Sequence, residues 1–202
     1  MIPTKEKTFI ITYTGQEFYP FFPRPEDVDI NDIAHSLSGK CRWNGHCRYP
    51  YLVGSHSIQV ARRIKDAGGN EMEQLAGLLH DGSEAYFADV PTPIKKHIPD
   101  IISLEDGLQR AIELRFGLPK MIIDSDIVAA ADRAALLYEA RTLQNRPPLW
   151  ALDTTPIPFD GITAVESAEP TLDSPLMALQ ATSEKIHKMF LDMFFQLGGG
   201  TL

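Results

Sequence analysis

Cysteine is scarce: the 202 residues hold two, Cys41 and Cys47, and they do not form a C-x-x-C pair. Two thiols cannot build a disulfide framework, so the expectation is two reduced thiols in a cytoplasmic protein. Long hydrophobic runs are missing as well. No stretch approaches the roughly 20 apolar residues of a membrane span, and Met1-Ile2-Pro3-Thr4-Lys5-Glu6-Lys7 lacks the apolar segment of a secretory signal. Basic residues are in deficit, 19 Lys and Arg against 27 Asp and Glu, for a formal net charge of −8. Nucleic-acid polymers are held mainly by basic patches, so neither such a polymer nor a membrane is the expected partner. A small phosphate-bearing ligand needs only a few local cations and stays open. Internal repeats and low-complexity segments are absent too.

What is present is ordinary for a globular chain: 44% hydrophobic and 23% charged residues, long enough to bury one sizeable core. A single domain over 1–202 is expected. Phe9-Ile10-Ile11-Thr12-Tyr13, a turn at Thr14-Gly15-Gln16 and Glu17-Phe18-Tyr19 predict a small β-hairpin at about 9–19. Pro20, Pro23 and Pro25 then extend the chain. Asp29 or Asn31 can cap a helix from about 32 to 44, with Ile33, Ala34, Leu37 and Cys41 on its apolar face. Further helices are expected over about 53–67, over 70–81 or beyond, over 100–116, over 126 to about 146, and over about 175–197. An irregular connection is expected at 149–172, with Gly198-Gly199-Gly200 a frayed end. The pattern is all-α with a small N-terminal β element, its core at about 30–145.

Candidate chemistry centres on Leu78-Leu79-His80-Asp81-Gly82-Ser83-Glu84-Ala85, where a His-Asp pair follows an apolar run. Burying such a pair is costly unless partners or a metal satisfy it. His56 shares a helical face with Val60 and Ile64, and Asp132 shares one with Val128 and Leu136. An unpaired inward carboxylate is expensive, and a divalent cation would neutralise it while using imidazole nitrogens. Each residue taken alone also fits a hydrogen-bonded core histidine or an Asp paired with Arg133 or Arg141. Together they mark a metal site. His35 and His46 are given no such role.

His56…His80-Asp81…Asp132 resembles the HD-domain metal-dependent phosphohydrolases. The segments Ile33-Ala34-His35-Ser36-Leu37-Ser38, Cys41-Arg42-Trp43-Asn44-Gly45-His46, Val53-Gly54-Ser55-His56-Ser57 and Leu79-His80-Asp81-Gly82-Ser83-Glu84-Ala85…Asp89-Val90-Pro91-Thr92-Pro93-Ile94-Lys95 look like the branch with bacterial 5′-deoxynucleotidases and phage dATP triphosphohydrolases. The similarity covers about residues 9–145. It implies an HD-domain helical bundle and a likeness in oligomerisation, a homo-oligomer. It implies one divalent ion (Co, Mn, Mg, Zn, Ni or Fe) on His56, His80, Asp81 and Asp132. Asp81 and Glu84 would be the catalytic pair, with Glu84 orienting or deprotonating water. Arg42 and Lys95 would contact phosphates. Trp43 would stack on or limit the nucleoside, or be a core residue. Asp89 would bind sugar or close a helix-end turn, and Pro93 would shape the base pocket or the backbone. The implied reaction is hydrolysis of the 5′ phosphoester of a deoxynucleotide, with dATP or dAMP favoured. Lys95, Lys96 and Arg48 could serve a longer phosphate chain. Guanosine tetraphosphate hydrolases have Asp after the Glu, where this chain has Ala85. The Gly-Tyr-Pro element of cyclic-dinucleotide hydrolases is missing. A catalytically silent nucleotide-binding regulator is the alternative from another class.

Overall fold

The computed structural model describes residues 8–152 and 175–200. Strands β1 (Ile10–Ile11) and β2 (Glu17–Phe18) pair antiparallel, Ile10 opposite Phe18 and Ile11 opposite Glu17, within the hairpin expected at about 9–19. The hairpin is anchored from both ends. Phe18 is fully buried with its ring stacked 3.9 Å from that of Tyr86, and the buried Asp32 accepts the Thr14 backbone N–H at 2.7 Å.

Helix α1 (Ile30–Leu37) starts at Asp29, whose side chain accepts the Asn31 N–H, and buries Ile33, Ala34 and Leu37. It ends at Leu37, well short of the expected 44. The chain turns at Ser38-Gly39 and runs out to a β-bridge between Cys41 and Leu52, so Cys41 is exposed and not on an apolar helix face. Trp43 and Asn44 then take left-handed backbone angles, φ +57° and +49°, which no continuing α-helix allows.

Helix α2 (Val53–Asp66) and helix α3 (Glu71–Leu79) follow, close to their expected starts. Asn70 caps α3 in a reciprocal box with Glu73, the residue pattern that best specifies a helix start. Then come α4 (Thr92–Lys95), α5 (Pro99–Arg115), α6 (Asp126–Thr142), α7 (Leu149–Leu152) and α8 (Pro175–Gln196). The short α7 replaces the first residues of the expected irregular connection; the rest of it, with Pro156, Pro158 and Pro170, lies outside the described residues. In α5 the buried stripe is Leu108, Ala111 and Ile112, while Ile102 and Leu114 face out despite their hydrophobicity.

Helix α2 is the axis of the bundle, packed by α3, α6 and α8. Val53, Ile58, Val60 and Ile64 are buried there alongside Leu75, Leu78, Leu79, Ile112, Ile186, Phe190 and Phe194. It also buries Ser55, His56, Ser57, Gln59 and Arg63, an unusual polar load for a central helix. The last helix is capped, not frayed. Gly198 sits at φ +80° and the Gly199 N–H returns to the Phe194 carbonyl at 3.0 Å, a Schellman-type stop. Among the described residues no helix is long and apolar enough to cross a membrane.

Candidate metal centre

The packing of α2 against α3 and α6 brings His56, His80 and Asp132 to one point. The Nε2 atoms of His56 and His80 lie 3.2 Å apart. Asp132 Oδ1 is 3.0 Å from His56 Nε2 and 3.8 Å from His80 Nε2. Asp81 completes the group, with Oδ2 3.7 Å from His56 Nε2 and Oδ1 3.3 Å from His80 Nε2. Ligand atoms of His56, His80 and Asp81 all lie within 4.8 Å of one another, a group that could hold a metal ion, and Asp132 adjoins it through the two imidazoles.

The far sides of both rings say which nitrogen is available. His80 Nδ1 is 2.8 Å from the Gly77 carbonyl, which can only accept, so Nδ1 carries a proton. His56 Nδ1 is 2.6 Å from the buried Glu139 carboxylate, with the same consequence. Two neutral imidazoles so fixed would aim two lone pairs at each other, which is repulsive without a cation between them. Two imidazole nitrogens sharing one ion at about 2.1 Å each stand roughly 3.0–3.4 Å apart. The observed spacing falls in that interval, and two imidazoles with two carboxylates suit a divalent metal. The side chain of His56 is 0% exposed while that of Asp132 is 41% exposed, so the centre is sealed on the α2 side and open at Asp132.

Burial and Arg42 push the His56 imidazole down, but Glu139 and Asp132 outweigh them and hold it up at about 9. Burial would raise Glu139; the positive His56 and Arg42 beside it win and keep it at about 2. Asp132 is likewise held well below the usual carboxylate range, the two histidines overcoming its burial.

The structure corrects one element of the site. His80, Asp81 and Glu84 do not lie on one continuous helix. Helix α3 ends at Leu79, His80 is its cap, and Asp81 leaves helical geometry at φ −96°, ψ 17°. Glu84 sits in the following 3₁₀ turn, Gly82–Ala85. That turn is gripped from α1 and its exit: Lys40 Nζ donates to the carbonyls of Glu84 and Ala85, and Ser36 Oγ donates to Ala85 at 2.9 Å. Glu84 is 5% exposed, and its Oε2 has no hydrogen-bond partner among the described residues. Burial, with Asp81 and Asp89 adding negative charge, pushes this carboxyl up to about 10. A buried carboxyl perturbed in this way beside a group that could hold a metal is a candidate functional residue.

Arg42 is placed beside the ligands, not free for phosphate alone. Its Nη1 donates to Asp81 Oδ2 at 3.0 Å and its Nε to Glu139 Oε2 at 3.1 Å. Trp43 donates from Nε1 to the same Glu139 oxygen at 3.1 Å, and its ring packs on Leu137, Ala140 and Ala151. Lys95 pairs with Glu105 at 2.8 Å, yet its charge is felt at Glu84 and Asp89, and those of Glu84 and Asp81 at Lys95. Asp89 is half-buried, and burial raises its carboxyl. Pro93 is exposed within α4.

Sequence reasoning missed Glu139. It is fully buried and joins His56, Arg42 and Trp43. A signal existed: Glu139 follows Asp132 by seven residues, two helical turns, on the same face. A carboxylate behind a ligating histidine fixes its tautomer and raises its basicity, and losing one typically costs about 10–100-fold in metal affinity. Glu139→Gln is expected to show a loss of that size in calorimetric titration with Mn²⁺.

The chain is 35% identical over 136 residues to the Escherichia coli protein named "Uncharacterized protein YfdR", an alignment spanning 67% of this chain and 72% of that one. It is 39% identical over 129 residues to "Uncharacterized protein RCAP_rcc00048" of Rhodobacter capsulatus, spanning 60% of this chain and 65% of that protein. No protein-family profile matches the chain.

Proposed function

We propose that this chain, which belongs to the family of Escherichia coli YfdR, is a metal-dependent phosphohydrolase of the HD-domain type acting on the 5′ phosphoester of deoxynucleotides. The observation that carries this reading is the pair of back-fixed imidazoles, their Nε2 atoms 3.2 Å apart, between two carboxylates that open to solvent at Asp132. His56, His80, Asp81 and Asp132 would hold the ion. When bound, it supplies Lewis acidity toward a phosphoryl oxygen and makes water a better nucleophile.

The chain's own residues do the rest. Glu84 orients the attacking water and takes its proton on the carboxylate. Its high proton affinity in the metal-free protein means that it works as a base only when added positive charge offsets Asp81 and Asp89. Arg42 has five N–H donors, of which Nε and Nη1 hold Glu139 and Asp81; the remainder can meet a phosphate. Lys95 supports the developing negative charge at longer range.

Of the three cations expected to serve a triphosphate, two are engaged elsewhere, while Lys96 is exposed. Lys95 pairs with Glu105, and Arg48 donates from Nε and Nη2 to the Gln144 carbonyl. This favours a monophosphate such as dAMP over dATP. The test is product analysis with a panel of dNMPs, NMPs and dNTPs and added Mn²⁺ or Co²⁺. Orthophosphate from a dNMP is expected. Tripolyphosphate from a dNTP would reverse the preference, and no turnover with metal bound would leave the silent regulator.

Metal and proton compete for His56. Because His56 keeps its proton up to about 9, binding a divalent ion at pH 7 is expected to release about one proton from it. Apparent affinity then rises with pH and levels off near 9. Calorimetry in buffers of different ionisation enthalpy measures the release; zero protons would contradict the protonated state of His56.

A further inference from the structure

Adjacent residues on an α-helix point about 100° apart. His80 and Asp81 nonetheless reach one centre, because the helix opens between Leu79 and Ser83. In a continuing helix the Ser83 N–H would donate to the Leu79 carbonyl. Here a side chain stands between them. Gln109, on α5, donates from Nε2 to the Leu79 carbonyl at 2.9 Å and accepts the Ser83 N–H on Oε1 at 3.1 Å. Both backbone groups keep a partner, but the direct bond is replaced by a two-bond bridge through the amide. Insertion of a side chain into the helical ladder is a recognised cause of a sharp break. Gly82 permits the close approach of α5 that this needs, since a Cβ there would lie 3.0 Å from Ile112 Cδ1.

We propose that Gln109 is a positioning residue of the metal centre: its amide, wedged between Leu79 and Ser83, holds α3 open so that Asp81 converges with His80 and Glu84 is delivered in a separate turn. The inference rests on the metal reading above for its consequence, but the wedge itself is a property of the metal-free chain. Gln109 touches no ligand atom and acts through the backbone alone. Glutamine is suited to the task because one planar amide carries both the donor and the acceptor required. Leucine has similar bulk and neither function. Glutamate retains the acceptor for Ser83 and, when ionised, loses the donor for Leu79.

The experiment uses the full chain in two states. In the metal-free protein, ¹³Cα shifts of His80, Asp81 and Gly82 are expected to move toward helical values in Gln109→Leu, as Leu79 and Ser83 pair directly. Calorimetric titration with Mn²⁺ is expected to show a loss of about 10–100-fold in affinity, the range found for residues that orient ligands. Gln109→Glu, which keeps one of the two bonds, is expected to fall between wild type and leucine in both readouts and serves if the leucine variant does not fold. A merely structural role would lower the melting temperature and leave both readouts in place. Unchanged shifts, or an affinity within twofold of wild type, overturn the proposal. If wild type itself binds no divalent ion, the metal reading fails, and the shifts alone decide whether Gln109 is the wedge.

Discussion

Replacing His80 by alanine is expected to lower divalent-metal affinity more than about 100-fold, beyond the range for a residue that only orients a ligand. His80 contributes one of the two Nε2 donors, and neither His56, Asp81 nor Asp132 can cover for it because each is already directed at the centre from its own element. The metal-free fold should survive. The side chain forms one bond outside the centre, Nδ1 to the Gly77 carbonyl. Losing one such bond costs about 1 kcal/mol, or roughly 2–4 °C in Tm for a chain of this size. Titration with Mn²⁺ and a melt of the metal-free variant separate the two effects. Full affinity in His80→Ala would show that the ion sits elsewhere.

Glu84→Gln is expected to do the reverse: metal affinity stays within a few-fold while kcat falls about 10²–10⁴-fold, the usual contribution of a positioned acid or base. Glutamine fills the same space in the Gly82–Ala85 turn but cannot take a proton. It also removes a titratable group from beside Asp81 and Asp89, whose charges add to burial in raising Glu84. The metal-free variant is therefore expected to melt no lower than wild type. A large drop in KM-normalised rate with a matching drop in stability would instead mean that Glu84 is structural. Unchanged kcat would remove it from the chemistry altogether.

How far these residues could be read in advance depended on how local their signals are. Asn70 and Glu73 announce the start of α3 within four residues, and Val53 to Gly68 carries its own helical period and stop. His56, His80, Asp81 and Asp132 stood out because polar residues on apolar faces demand partners. The end of α1 did not show, since Cys41 keeps the helical period but is drawn into a bridge with Leu52 by the strap that carries Arg42. Glu139 could have been found two turns beyond Asp132. Gln109 could not: its role exists only because α5 meets the end of α3, and nothing near residue 109 records that meeting. The break at His80 was hidden for the same reason, as 70–81 and beyond reads as one helix until the amide from α5 is placed in its ladder.

The most direct measurement is phosphate release from dAMP followed while metal-free protein is titrated with Mn²⁺. Turnover that is absent at first and saturates at one equivalent of metal per chain is the predicted result, with His80→Ala silent over the same range. Turnover indifferent to chelation, or a protein that binds the ion and hydrolyses no nucleotide, would contradict the account.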